Sequence, residues 1–352
     1  MPAQGGSLKS LQARTDLAGG GGSTVMPAVP TTHGLYASPL TVGGQQLQVV
    51  LDAGSTPTYI FEGTAPNGSK SYEPGQSNTF EPVLNHNFSY YYDTGEVVQG
   101  TYGRDDMTFG SVALAEQLFG LINPQRGVSV NKTFAHGDPK FLYGIDAIIG
   151  VSAAETDAMY NSFLRRSLQP LLAEAVFTVD FPYAATGSIE FGAVDTSKFS
   201  GPLTYLNLTT SLAYTVAQKA ITFGNHTFPW AADQSCTFDT GSTSLYLTQE
   251  MVTAYYQDVP GAYPVANVDG YVVPCDSVLP NVTIQFTETF PVTVSGQDLM
   301  LPYPPVQGCV GAVAVRSLSA SIINVGQPFF YSQFMVFDWG GLRVGMAPKT
   351  VA

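Results

Sequence analysis

From Gly34 onward, apolar and polar residues alternate in short runs broken by Gly, Pro and Asn, which predicts strands rather than helices. Tyr36–Leu40, Gln46–Leu51, Phe88–Tyr92, Glu96–Tyr102 and Met107–Phe109 are typical of these runs. Two stretches keep a helical spacing instead. Glu155–Phe177 sets Met159, Phe163, Leu164, Leu168 and Leu171 three and four residues apart, with Pro170 ending or bending the pattern. Thr248–Gln257 is shorter and begins with a residue suited to cap a helix N-terminus. Residues 1–33 show neither period. They are rich in Gly, Ser, Ala and Pro, including Gly19-Gly20-Gly21-Gly22-Ser23, and read as a flexible arm. The expectation is an all-β chain with a few short helices.

One pattern occurs twice. Asp52-Ala53-Gly54-Ser55-Thr56-Pro57-Thr58-Tyr59 returns 187 positions later as Asp239-Thr240-Gly241-Ser242-Thr243-Ser244-Leu245-Tyr246, and both copies follow a short apolar run. A repeat at about half the chain length predicts two similar lobes. We place their junction in Gly187–Gly201, giving an N-terminal lobe over 34–190 and a C-terminal lobe over 191–352. If the lobes face each other about a pseudo-two-fold axis, the two carboxylates meet there. Two adjoining carboxylates resist double ionisation, so an acid and a base stand side by side.

Composition narrows the setting. The 352 residues carry 14 Lys plus Arg against 27 Asp plus Glu, a net charge of −13, with only 12% charged residues. Such a balance repels phosphate backbones and anionic lipid, so neither nucleic acid nor a membrane is an expected partner. Protonating carboxylates moves the net charge toward zero, which suits an acidic environment. Six of twelve asparagines, Asn67, Asn87, Asn131, Asn207, Asn225 and Asn281, lie in Asn-x-Ser/Thr sequons. About two would arise by chance, so passage through a secretory pathway to an extracellular or vacuolar site is expected. A disulfide between Cys275 and Cys309 would suit such a compartment, leaving Cys236 as a buried thiol. No apolar stretch reaches membrane-spanning length, and the arm carries no signal-peptide core.

Other chemistries lack their residues. The four histidines have no metal-ligand spacing, and Gly-x-Ser-x-Gly and phosphate-loop patterns are missing, so no metal or cofactor is expected. The paired Asp motif remains. With its surroundings, the chain resembles the pepsin-like aspartic proteases, fungal secreted ones included, from Gly34 to Lys349. The matching stretches are Phe141-Leu142-Tyr143 leading to Asp146-Ala147-Ile148-Ile149-Gly150, Gly187–Gly192 before Asp195–Gly201, Gly270–Cys275, Phe334–Asp338 and Val344–Pro348.

The resemblance implies a bilobal double-β-barrel fold acting as a monomer on polypeptides. It implies that Asp52 and Asp239 hold one water, one taking its proton and the other protonating the carbonyl oxygen, as is known for that family. Gly54 and Gly241 would donate backbone N–H groups to these acids, Ser55 and Ser242 would bond their outer oxygens, and Thr240 would support the pair. Tyr92, Asp93, Thr94 and Gly95 would form a flap over them, and Tyr59, Phe119 and Ile148 pocket walls. Cys275 and Cys309 would pair.

Departures from the family bear on activity. Ala53 replaces a Thr whose hydroxyl crosses to the other lobe. Asp93 and Glu96 put carboxylates on the flap, and Tyr59 stands where Trp is common. Asn324-Val325-Gly326-Gln327 replaces apolar-apolar-Gly-Asp, setting a polar residue in an expected core segment. The leading expectation is an acid endopeptidase with an altered acid pair. The alternatives are acid/base chemistry on a small non-peptide molecule, such as a cyclisation, and a non-catalytic binding protein.

Overall fold

A computed structural model describes residues 21–32, 34–63, 72–92, 96–124, 126–130, 144–154, 163–230, 235–264, 270–303, 308–315 and 322–350. Of the expected features, Phe141-Leu142-Tyr143, Met159, Asn67, Asn131 and the flap residues Asp93, Thr94 and Gly95 lie outside them. Strands dominate as the alternation predicts. Gln46–Leu51 falls within a strand Gln45–Asp52, and Glu96–Tyr102 joins Met107–Phe109 in one long strand, Glu96–Phe109. A bulge between Asp105 and Met107 shifts its register against Val112–Ile122. The expected short helix forms over Gln249–Gln257, where Thr248 Oγ1 accepts the Met251 N–H at 3.3 Å.

Among the described residues, a fourteen-stranded sheet links both halves of the chain, and three smaller sheets lie in the second half. From one edge of the large sheet run six antiparallel strands: Thr204–Asn207, Arg343–Pro348, Gln333–Asp338, Val176–Asp180, Gly187–Phe191 and Thr24–Pro30. Every side chain of Gln333–Asp338 is buried, so both faces of this strand are covered. Phe177 stacks between Phe337, at 4.5 Å between ring centroids, and Phe191, at 5.3 Å.

Two expectations are corrected. The flexible arm does not extend to residue 33, because Thr24–Pro30 is a strand paired with Gly187–Phe191. Thr24, Met26 and Ala28 point inward while Val25, Pro27 and Val29 face out, a period-two pattern hidden by the Gly-, Ala- and Pro-rich composition. Nor does a helix reach Phe177. Phe163–Leu168 forms one wide π turn and Gln169–Leu171 a 3-10 turn holding Pro170, after which Val176 opens a strand. Pro170 lacks the N–H that a continuing helix needs, and Val176-Phe177-Thr178-Val179 is β-branched and aromatic.

The halves repeat one motif. In the first, Gln45–Asp52 runs parallel to Ala147–Gly150, pairing Asp52 with Gly150, and Ala147–Gly150 is also antiparallel to Thr58–Phe61, pairing Tyr59 with Ile148. In the second, Ser235–Phe238 runs parallel to Ile322–Val325, which is antiparallel to Leu245–Leu247 and pairs Tyr246 with Asn324. Each Asp therefore sits where a strand leaves the same three-strand arrangement.

Cys275 and Cys309 are disulfide-bonded across 34 residues of sequence, and Cys236 is free and buried. Closing a loop of that length restricts the unfolded chain by on the order of 3–4 kcal/mol. The double variant Cys275→Ala/Cys309→Ala is expected to lose that free energy in urea unfolding, with a steeper slope because the unlinked unfolded chain exposes more surface.

Candidate active site

The acid pair is built reciprocally. The Gly54 N–H donates to Asp52 Oδ1 at 2.9 Å and the Ser55 hydroxyl to Asp52 Oδ2 at 2.5 Å. The Gly241 N–H donates to Asp239 Oδ1 at 2.8 Å and the Ser242 hydroxyl to Asp239 Oδ2 at 2.7 Å. Each glycine also leaves room for the opposite acid. A Cβ on Gly54 would lie 2.5 Å from the Asp239 carboxyl carbon, and one on Gly241 2.5 Å from Asp52 Oδ1. The two carboxyl groups adjoin each other, with Asp52 6% and Asp239 9% exposed. Burial first, and the adjoining Asp239 second, push Asp52 well above the usual carboxylate range.

The tie between the two loops comes from one side. Thr240 Oγ1 donates to the Leu51 carbonyl at 2.5 Å and accepts the Ala53 N–H at 2.9 Å. Ala53 is fully buried and has no hydroxyl with which to reciprocate. Gln327 braces the second loop from within its own half, its Nε2 donating to the Thr240 carbonyl at 2.7 Å and its N–H to the Ser242 carbonyl at 2.8 Å. The first loop is held by the Val151 N–H on the Asp52 carbonyl and the Ser152 N–H on the Ser55 carbonyl.

Asn324 corrects an expectation. Rather than lying in a core segment, it lines the cleft, and its Nδ2 donates to Asp239 Oδ2 at 2.8 Å and to Ser242 Oγ at 3.1 Å. Its departure from the apolar pattern was the visible signal; its contact with Asp239 emerges only from the register.

A cleft of about 770 Å³ opens over the pair. Ile148 lines it as expected, with Leu35, Val50 and Leu212 adding apolar wall. Phe119 does not line it. That ring is 1% exposed in the main core, edge-on to Tyr72 at 5.9 Å, while its neighbour Leu118 joins the cluster holding Tyr59 and Ile148. Adjacent strand residues face opposite sides, so the expectation was off by one position. Tyr59 is buried behind the cleft, its hydroxyl 2.7 Å from that of Tyr92. The three tyrosines differ: the Tyr92 hydroxyl meets Tyr59, Tyr90 packs edge-on to Tyr92 at 5.0 Å, and Tyr91 is 68% exposed. The Tyr92 N–H bonds the Glu96 carbonyl at 2.8 Å where the two hairpin strands approach, and Glu96 also faces the cleft.

An all-β fold carrying two Asp-x-Gly-Ser loops face to face defines a pepsin-like aspartic protease. The chain belongs to the eukaryotic aspartyl protease family, whose description it matches over residues 35–349. It is 30% identical over 330 residues to podosporapepsin of Podospora anserina, covering 90% of this chain and 75% of that protein. It is 28% identical to penicillopepsin-3 of Penicillium janthinellum, covering 89% and 78%, and 27% identical to aspergillopepsin-1 of Aspergillus oryzae, covering 98% and 84%.

Removing the one-sided tie has a stated cost. Thr240→Val leaves the Leu51 carbonyl and the Ala53 N–H buried without their partner, an expected loss of about 2–4 kcal/mol in urea unfolding. Ala53→Thr supplies the missing hydroxyl and is expected to add about 1 kcal/mol by the same measurement.

Proposed function

We propose that the chain is an endopeptidase that hydrolyses peptide bonds at acidic pH, with a water activated between Asp52 and Asp239. The observation that carries this reading is the contact between two buried carboxyl groups with matching Gly and Ser donors. In this mechanism the ionised carboxylate takes a proton as the water oxygen bonds to the peptide carbon, and the protonated carboxyl gives its proton to the carbonyl oxygen. Proton transfer to the amide nitrogen then accompanies cleavage of the C–N bond, yielding a carboxylic acid and an amine. Segments 34–190 and 191–352 serve as the two lobes, and Tyr92 belongs to the flap that closes on substrate. Both acids come from one chain, so a monomer suffices.

The cleft favours neutral and apolar peptide residues. Its lining contains Asp52, Asp239 and Glu96 but no Lys, Arg or His among the described residues, so an acidic side chain would meet only like charge. The disulfide supports passage through a secretory compartment, as does the exposure of Asn87, Asn207, Asn225 and Asn281.

Denatured globin or casein should be cleaved between about pH 2.5 and 6, with Asp239→Asn inactive. Intact substrate across that range overturns the reading. A second expectation concerns stability. Because Asp52 is raised above its ordinary value of 3.8, the native state holds a proton that the unfolded chain releases. That contribution is complete below about pH 3.8 and is lost as pH rises through the folded value. The stability difference between the wild type and Asp52→Asn should therefore shift against the wild type as pH rises in that window. Unfolding measured at a series of pH values checks the sign.

A further inference from the structure

The repeated motif allows the two acids to be compared position by position, and they are not equivalent. Register pairs Val50 and Tyr59 with Ile148 in the first half, and Thr237 and Tyr246 with Asn324 in the second. Ile148 and Asn324 are thus structural counterparts, each beside the acid of its own half, and both line the cleft. Asp52 has Ser55 on its outer oxygen and an aliphatic side chain at the counterpart position. Asp239 has Ser242 on its outer oxygen and an amide there as well.

The orientation of that amide follows from its neighbours. The Ser242 hydroxyl spends its hydrogen on Asp239 Oδ2, so toward Asn324 its oxygen accepts, and the group 3.1 Å away is the amide NH₂. The same NH₂ lies 2.8 Å from Asp239 Oδ2, which therefore receives two donors. Donors of this kind stabilise a carboxylate far more than a carboxylic acid. We propose that Asn324 is a positioning residue that makes the acid pair unequal, holding Asp239 as the ionised base and leaving the shared proton on Asp52.

Among the described residues, the cleft lining supplies no competing cation. The titratable groups facing Asp239 across the cleft are Asp52 opposite, Glu96, Tyr90, Tyr91 and Tyr92 from the hairpin strands and their junction, and Tyr246 from the strand beside Asn324. All are acids or phenols, so the inequality rests on hydrogen-bond donors. The raised affinity of Asp52 for its proton agrees with this assignment. In hydrolysis, Asp239 would then accept the proton of the attacking water and Asp52 would protonate the carbonyl oxygen.

The inference rests on the proteolytic reading for its role in catalysis, but its core is a statement about protonation that activity is not needed to test. With aspartate labelled by carbon-13 at the carboxyl carbon, and Asp52→Asn and Asp239→Asn used to assign the signals, NMR titration reads each acid separately. The wild type should show Asp239 ionising first and Asp52 later. Asn324→Ile, which copies the first half, should raise the first ionisation by about one pH unit and leave the second nearly unmoved, since Asp239 is already ionised there. If the protein cleaves peptides, the acid limb of kcat/KM should rise by the same amount while the alkaline limb stays. The swap Asn324→Ile/Ile148→Asn should move the proton to Asp239. An unchanged titration in Asn324→Ile, or Asp52 ionising first in the wild type, overturns the proposal even if proteolysis is found. A lowered unfolding midpoint with unchanged ionisation assigns Asn324 a structural role only and overturns it too. Absence of cleavage with the expected titration refutes the proteolytic reading and leaves the assignment standing.

Discussion

Two buried carboxyl groups in contact tolerate one negative charge between them but resist a second, and the rest of this molecule is arranged around that constraint. Bringing the groups together requires both loops to approach within van der Waals distance, which is why each carries a glycine where the other half's acid lies. Holding one of them ionised while excluding most solvent requires donors, which the Gly54 and Gly241 amides and the Ser55 and Ser242 hydroxyls provide. The repeated three-strand arrangement fixes those donors in turn, because each Asp lies where a strand with buried apolar residues ends. Thus the strand alternation, the cores and the close loop packing all converge on the positions of a few carboxylate oxygens.

The departures from family pattern acquire meaning within that arrangement. With no hydroxyl at Ala53, Thr240 is among the described residues the only side chain in this tie, with two hydrogen bonds across to the first loop. Gln327, read in sequence as the loss of an Asp, instead bonds the carbonyl of that same Thr240 through a neutral amide. A carboxylate at Gln327 would have no hydrogen to give that carbonyl. The second loop is therefore the better-braced partner, and the first is positioned against it.

How much of this is legible in the sequence depends on whether the signal is local. The Asp-x-Gly-Ser loops are local: glycine for close approach, serine three residues on for the outer oxygen, both found as expected. The helix at Gln249–Gln257 was equally local, marked by its capping Thr248. What failed was non-local. Thr24–Pro30 is ordered by Gly187–Phe191, more than 150 residues away, and composition carries no trace of a distant partner. Phe119 was assigned to the cleft where Leu118 faces the cluster under it, an error of one residue that only the sheet register resolves. Asn324 was visible as an oddity and misread as a flaw in a core strand, because nothing in the neighbouring residues reveals that Asp239 lies beside it.

Charge connects the site to its setting. The chain carries −13, and the described cleft lining adds only acids and phenols to the pair, so raising the pH crowds negative charge around groups that already resist it. Moderate acidity relieves that crowding by bringing the net charge of the chain closer to zero. The proposed action in acid demands that one member of the pair hold its charge against protonation more firmly than the surrounding carboxylates do. Donors without formal charge suit the proposed inequality: aimed at one oxygen, they favour the ionised form of one acid alone, whereas a cation beside the pair would draw charge onto both and open the cleft to acidic peptides.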